Sequence, residues 1–270
     1  MGIGEIGEVL RRSTVQIRGT HPRRPSSGSG VIWDKAGTII TNAHVLGRES
    51  HIVELWDGRA FPAEIKSRDD QRDLARIRIP ATCLTAATVR STPVQPGELV
   101  IAVGNPLGFT GALTTGVVHA AGSVDGLGRR SWVQAAIRLA PGNSGGPLAD
   151  AAGHVVGINT MIVASGIALA VPSTTVVDFV HNGPRPRIGV TVRPVRLGRG
   201  RREALLIVGI EPGSPAEQAS LIVGDVLTNL SDAMEAAGSG PLRLRFLRGD
   251  RTREREAVIV LRPTSSREAA

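Results

Sequence analysis

A chain of 270 residues holds about two domains, and its 41% hydrophobic and 21% charged content excludes disorder as the main state. Of its 32 basic residues only Lys35 and Lys66 are lysine, and the net charge is +8. That charge is scattered in pairs such as Arg11-Arg12 and Arg201-Arg202 and aromatics are 3%, which argues against a nucleic-acid binder that needs stacking platforms. Cys83 is the single cysteine, so an intramolecular disulfide and a cysteine-rich zinc site are both excluded.

At the N-terminus Glu5 and Glu8 precede Arg11-Arg12, and no apolar run follows. No secretory signal is visible there, which makes a cytoplasmic location the default expectation. Residues 14–180 read as short strands between turns, clearest at 15–17, 30–32, 38–40, 51–55, 76–79, 99–103 and 116–118. With 33 Gly and 17 Pro, the pattern predicts an antiparallel sandwich or barrel. The stretch from Asp150 to Asp178 carries no formal charge and is long enough to span a membrane. Gly153, Gly157, Asn159, Gly166 and Pro172 punctuate it. Two buried strands joined by a turn near Ala164–Gly166 are predicted instead, and no integral membrane segment.

A short helix is predicted over Ser173–Val180, with Gly183 as cap and Pro184 as stop. His181–Pro186 (HNGPRP) reads as a linker. Beyond it come strands at 189–192 and 204–210 and a helix start at Ser214-Pro215-Ala216-Glu217. A second short helix is predicted at Ser231–Ala237, then a hairpin of 242–246 with 257–261. Its turn contains Arg248-Gly249-Asp250, an adhesion tripeptide in other settings that turn chemistry explains here. The tail 263–270 is polar.

Three segments carry chemistry. Thr41-Asn42-Ala43-His44-Val45 follows an apolar strand, Asp73-Leu74-Ala75 opens another, and Gly142-Asn143-Ser144-Gly145-Gly146 is a glycine-rich turn around one serine. A serine hydroxyl is a weak nucleophile that needs an adjacent base. Imidazole can be that base, and a carboxylate fixes its tautomer. Glycines around the serine let backbone N–H groups converge on a developing oxyanion. Asp69 and Asp70 compete with Asp73 for the carboxylate, though only Asp73 directly precedes Leu-Ala and a strand. His21, His51, His119, His154 and His181 show no ligand spacing, so no metal and no cofactor are expected.

The order His–Asp–Ser in an all-β region resembles the trypsin-like serine proteases, and more closely the HtrA/Deg group. The likeness extends to Gly28–Trp33 (GSGVIW), Ala102–Gly108 (AVGNPLG), Thr114–Val118 (TTGVV), Gly157–Thr160 (GINT), Ala168–Ser173 (ALAVPS) and Val208–Leu221 (VGIEPGSPAEQASL). It implies a mainly β fold: a chymotrypsin-like double β-barrel over 1–183, then a small PDZ-like α+β domain over 184–270, shortened around 227–232. In it His44 is the general base, Asp73 the carboxylate and Ser144 the nucleophile. Backbone groups of Gly142, Asn143 and Ser144 form the oxyanion hole, and Gly28–Gly30 is a backbone turn.

By the same resemblance, Leu139, Ala168 and Leu169 are expected to line the primary specificity pocket, which would favour aliphatic side chains. Ile188, Gly189 and Val190 are expected to hold the C-terminus of a bound peptide, with Arg187 adding charge and Met234 near the last side chain. The resemblance further implies endopeptidase action on unfolded or misfolded polypeptides in protein quality control, a homo-oligomer (a trimer), and a periplasmic or other extracytoplasmic place. Two departures stand out. Ala136 and Ala140 replace the family's usual Asp and Asn before the nucleophile. They leave open an alternative, a peptide-binding, chaperone-like protein with weak or lost catalysis.

Overall fold

Strands dominate the computed structural model, which describes residues 2–21, 26–105, 111–124, 130–164, 166–185, 187–197, 202–230 and 241–260. The chain divides into two units, Met1–Arg185 and Pro186–Glu268.

In the first unit, β1 (Thr14–Gly19), β2 (Ser27–Ile32), β3 (Thr38–Thr41), β4 (His51–Glu54), β5 (Ala60–Asp69) and β6 (Leu74–Arg78) close into a barrel of order β1-β2-β3-β6-β5-β4. A second barrel closes in the order β10-β11-β12-β9-β8-β7. Its strands are β7 (Leu99–Gly104), β8 (Ala112–Ser123), β9 (Ser131–Ala136), β10 (Pro147–Asp150), β11 (Val155–Ala164) and β12 (Ile167–Pro172). The two-residue period of a strand explains the cores. Ile39 points into the first barrel with Val15, Ile17 and Ile77. Its neighbour Ile40 points outward, into a separate core with Leu74 of the same barrel and Trp132 and Leu169 of the second. The side chains that glue the barrels together are thus the alternate residues of the strands that line them.

The uncharged stretch becomes β11, β12 and the helix α2 (Ser173–Asn182), which buries Val176 and Phe179 in that shared core and ends at Gly183, φ +77°. Among the described residues no helix is long and apolar enough to cross a membrane. One element was not expected. Residues Ile3–Arg12 form helix α1, whose buried Ile6 and Leu10 dock on Ile101, Val103 and Ala149. Glu5 accepts the Gly2 N–H at 2.9 Å, and the Arg11 and Arg12 guanidinium groups stack over the Trp56 ring at 4.9 and 5.1 Å. The Glu8-Arg11-Arg12 run is an ion-paired helix surface.

Gly28–Gly30 is not a turn: it lies inside β2. Glycine is needed there for space, since a Cβ on Gly28 would come within 2.7 Å of the Val45 side chain.

The second unit is a five-stranded antiparallel sheet in the order β13-β14-β15-β16-β17: β13 (Val190–Leu197), β14 (Arg202–Ile210), β15 (Val226–Leu227), β16 (Leu242–Arg248) and β17 (Asp250–Ile259). A short helix α3 (Pro215–Gln218) starts where Ser214 Oγ accepts the Glu217 N–H. The unit has its own core, with Ile188, Ile207, Leu221, Leu227, Leu244 and Ile259 buried together. In the hairpin turn Arg248 is committed inward. Its guanidinium donates to both Asp225 carboxylate oxygens at 2.7 Å and to the Ser220 carbonyl at 2.7 Å. Arg248 of the Arg248-Gly249-Asp250 tripeptide is thus engaged within the unit. The predicted helix Ser231–Ala237, Met234 included, lies outside the described residues.

Candidate active site

His44 sits in a single 3-10 turn, Ala43–Val45, directly after β3. Its neighbours Ala43 and Val45 are buried, which leaves the imidazole half-exposed. Asp73 occupies the tight turn between β5 and β6 with φ +54°, a conformation that costs an L-residue energy and is kept only where its surroundings enforce it. Asn42 Nδ2 donates to the Asp73 carbonyl at 2.9 Å. The Asp73 carboxylate accepts the His44 backbone N–H at 3.1 Å and lies 2.8 and 3.0 Å from Nδ1.

The Thr160 hydroxyl donates to the same carboxylate. Burial pushes the Asp73 carboxyl up, but the hydrogen bonds from His44 and Thr160 outweigh it and hold the group below the usual carboxylate range. The rival carboxylates are engaged elsewhere. Asp70 pairs with Arg68 at 2.7 Å on the surface, and Asp69 is buried against Arg72.

Ser144 lies in the glycine-rich turn before β10. Asn143 N–H closes a tight turn on the Ala140 carbonyl at 3.0 Å, with Pro141 second and Gly142 third at φ +104°, the arrangement of a type II turn. Ser29 of β2 clamps it: its N–H donates to the Ser144 carbonyl at 2.8 Å, and its hydroxyl donates to the Gly142 carbonyl at 2.7 Å. Gly145 has no substitute, because a Cβ would sit 2.1 Å from the Ser29 carbonyl oxygen. Asn143 is a correction to the expected oxyanion donors, since its N–H is spent in the turn. The Gly142 and Ser144 N–H groups have no acceptor among the described residues.

The Ser144 hydroxyl donates to the Thr160 carbonyl at 3.0 Å. No hydrogen bond between Ser144 and His44 occurs among the described residues; catalytic bonds of this kind commonly tighten only around a substrate. Thr160, not singled out from the sequence, thus touches Asp73 with its side chain and Ser144 with its backbone. A recess of about 490 Å³ is lined by His44, Asp73, Thr160, Met161, Arg68, Asp70 and Arg130. A second, of about 390 Å³, lies at Thr38, Lys66, Arg76 and Arg78 and contains none of the candidate residues.

Among the described residues β11 pairs with β10 only as far as Ile158, so Met161–Val163 have β12 on one side and no described strand on the other. Of the expected pocket residues, Leu139 packs against the cluster containing Ala168. Leu169 points to the opposite face of β12, fully buried with Trp132, so strand alternation removes it from that pocket. In the second unit, Gly189 has φ +76°, and a Cβ there would meet Ser214 at 2.2 Å. The Ile188 and Gly189 carbonyls accept from Ala216 and Glu211 at 2.8 and 2.9 Å, and Val190 begins β13, an edge strand. Among the described residues no three His, Cys, Asp or Glu side chains converge as a metal site requires.

Residues 28–158 match the family described as "Trypsin-like peptidase domain". The Synechocystis protein HhoA, named as a serine protease, is 35% identical over 272 residues, covering 85% of this chain and 69% of that protein. The serine protease HTRA1 of Xenopus laevis is 34% identical over 238 residues, 76% of this chain and 52% of that protein. Among solved structures, the HtrA-type protease AlgW with a decapeptide matches with a TM-score of 0.73 at 26% identity, over 97% of this chain and 99% of that one. The serine endoprotease from Yersinia pestis matches with a TM-score of 0.71 at 25% identity, over 97% of each chain.

Proposed function

The chain belongs to the HtrA family of trypsin-like serine proteases, and from that premise we propose how its own residues divide the work. It is a serine endopeptidase of protein quality control. The relatives' names say serine protease, which favours catalysis over peptide binding alone.

In our reading residues 1–183 carry the chemistry. Ser144 Oγ attacks the substrate carbonyl carbon while His44 Nε2 takes its proton. The new oxyanion is met by the Gly142 and Ser144 N–H groups. Collapse expels the amine, which takes the proton back from His44 and leaves an acyl group on Ser144. Water, deprotonated by His44, then releases the acid. Asp73 keeps the Nδ1 proton facing itself, so that Nε2 is the basic nitrogen. The observation that carries this reading is the 2.8 Å contact between His44 Nδ1 and the Asp73 carboxylate.

The side of Met161–Val163 that no described strand covers supports an extended substrate strand held by backbone pairing, which a folded protein cannot offer. Leu139 and Ala168 bring no carboxylate to the primary pocket. A buried, unpaired cation is costly, so cleavage follows aliphatic residues and not Arg or Lys. Sequencing the peptides from a casein digest, with a fluorophosphonate adduct mapped on the intact enzyme, tests both parts. The expected result is an adduct on Ser144 and cuts after Ala, Val, Leu or Ile. An adduct elsewhere, or cuts dominated by Arg and Lys, overturns the reading.

For residues 184–270 we propose a PDZ-like domain that takes the C-terminus of a polypeptide as an added strand beside β13. Its carboxylate meets the N–H groups near Ile188, Gly189 and Val190. The exposed edge of β13 supports this. Titrating the full-length Ser144→Ala protein with a labelled peptide ending in an apolar residue, as free acid and as amide, tests it. The acid binds more tightly if the carboxylate is captured; equal affinities contradict capture.

A further inference from the structure

Behind the turn that carries Asp73 lies a buried ion cluster that the proposed mechanism does not use. Asp69, at the end of β5, and Arg72, the residue before Asp73, are both buried. Asp69 Oδ1 accepts the Arg72 N–H at 3.0 Å, and Oδ2 accepts the Arg185 N–H at 2.9 Å. The Arg72 guanidinium reaches Asp178 of α2 at 2.9 Å and the Gly183 carbonyl at 3.5 Å, while its Nε, 3.5 Å from Asp69, makes no hydrogen bond. The turn before the triad carboxylate is thereby tied to the end of α2 and to Gly183–Arg185, where the chain leaves the first unit.

A buried cation is expensive unless it is paired, and an aspartate at φ +54° needs restraint from both directions. From the front, His44, Thr160 and Asn42 hold Asp73. From behind, the peptide bond to Arg72 ties it to a buried, ion-paired side chain. We propose that Arg72 is a positioning residue for Asp73, and that Gly183–Arg185 is part of the same latch, so the placement of the triad carboxylate depends on how that exit segment is held. The inference rests on the triad reading of Asp73. It assigns a role to charged residues that touch neither substrate nor His44.

The test compares kcat and KM on a fluorogenic peptide with the low-field NMR resonance of the His44 Nδ1 proton, a signature that a merely structural role would not move. Misplacing a catalytic group by an ångström costs about a hundredfold. Arg72→Met should lower kcat by roughly ten- to a hundredfold on that basis, leave KM within about twofold, and shift or broaden the resonance. Arg72→Lys should recover part of the loss, because it restores the charge beside Asp178 but not the reach to Gly183. Arg185→Pro, which deletes the N–H donated to Asp69, should lower kcat in the same sense.

A folded Arg72→Met variant with wild-type kcat and resonance overturns the latch, as does an unaffected Arg185→Pro for the exit segment. If Arg72→Met does not fold, Asp178→Asn at the half-exposed end of the cluster decides: a smaller fall in kcat supports the latch and an unchanged kcat overturns it. Failure of the triad reading looks different, with no low-field resonance in the wild type and full turnover by Asp73→Asn.

Discussion

Asp73 shows what a single side chain can and cannot disclose. Three aspartates stand within five positions, and adjacency to Leu-Ala favoured the last. The structure gives a physical reason: only this carboxylate reaches His44, from a backbone angle that other residues would resist. Asp73→Asn should therefore lose activity by about 10⁴, through the wrong His44 tautomer. Asp70→Asn should lose little, because its exposed pair with Arg68 lies away from His44. Steady-state rates of the two variants check this, and a larger loss in Asp70→Asn would contradict it.

Because the folded Asp73 carboxyl lies below its unfolded value, it contributes stability above about pH 3.9 that is lost as pH falls through the folded pKa. Acid unfolding of Asp73→Asn should accordingly be less steep in that range. Thr160, by contrast, was hidden. A threonine inside an apolar strand carries no mark of the two groups it will touch, because only folding brings the Asp73 turn and the Ser144 turn to it. Asn143 and Leu169 failed as site residues for local reasons, a turn hydrogen bond and a strand face.

The strands were legible because Val and Ile runs between glycines leave few alternatives, and β11 and β12 were separable from a membrane helix by their glycines. Helix α1 was not, since the large side chains it buries are Ile6 and Leu10 and their partners lie about a hundred residues away. Gly28–Gly30 misled for the opposite reason, because glycines that usually bend a chain here make room for Val45 inside a strand. In the second unit the link between β16 and the turn before β15 is the pair Arg248–Asp225, whose carboxylate is fully buried. Removing one partner of such a pair leaves an uncompensated charge, at a cost of about 3 kcal/mol. Arg248→Met should destabilise the second unit by that order while Arg243→Met, an exposed pair with Glu256, should change it little. Urea unfolding followed by hydrogen exchange in β16 and β17 measures both, and equal stabilities would contradict the ranking.

Each of the two units encloses its own core. Several of the basic residues are engaged in local pairs, such as Arg90 with Glu98 and Arg248 with Asp225, and the net charge of +8 is the excess of basic over acidic residues. The proposed mechanism turns on one atom, the hydroxyl oxygen of Ser144, in the turn that Ser29 clamps. Ser144→Ala removes that atom and little packing, so the fold should survive while the covalent step is lost. The measurement is casein and peptide turnover by purified Ser144→Ala beside the wild type, with circular dichroism as the control for folding. The account predicts an intact fold and a fall in kcat on the order of 10⁶; a folded variant that kept even a tenth of wild-type turnover would contradict it.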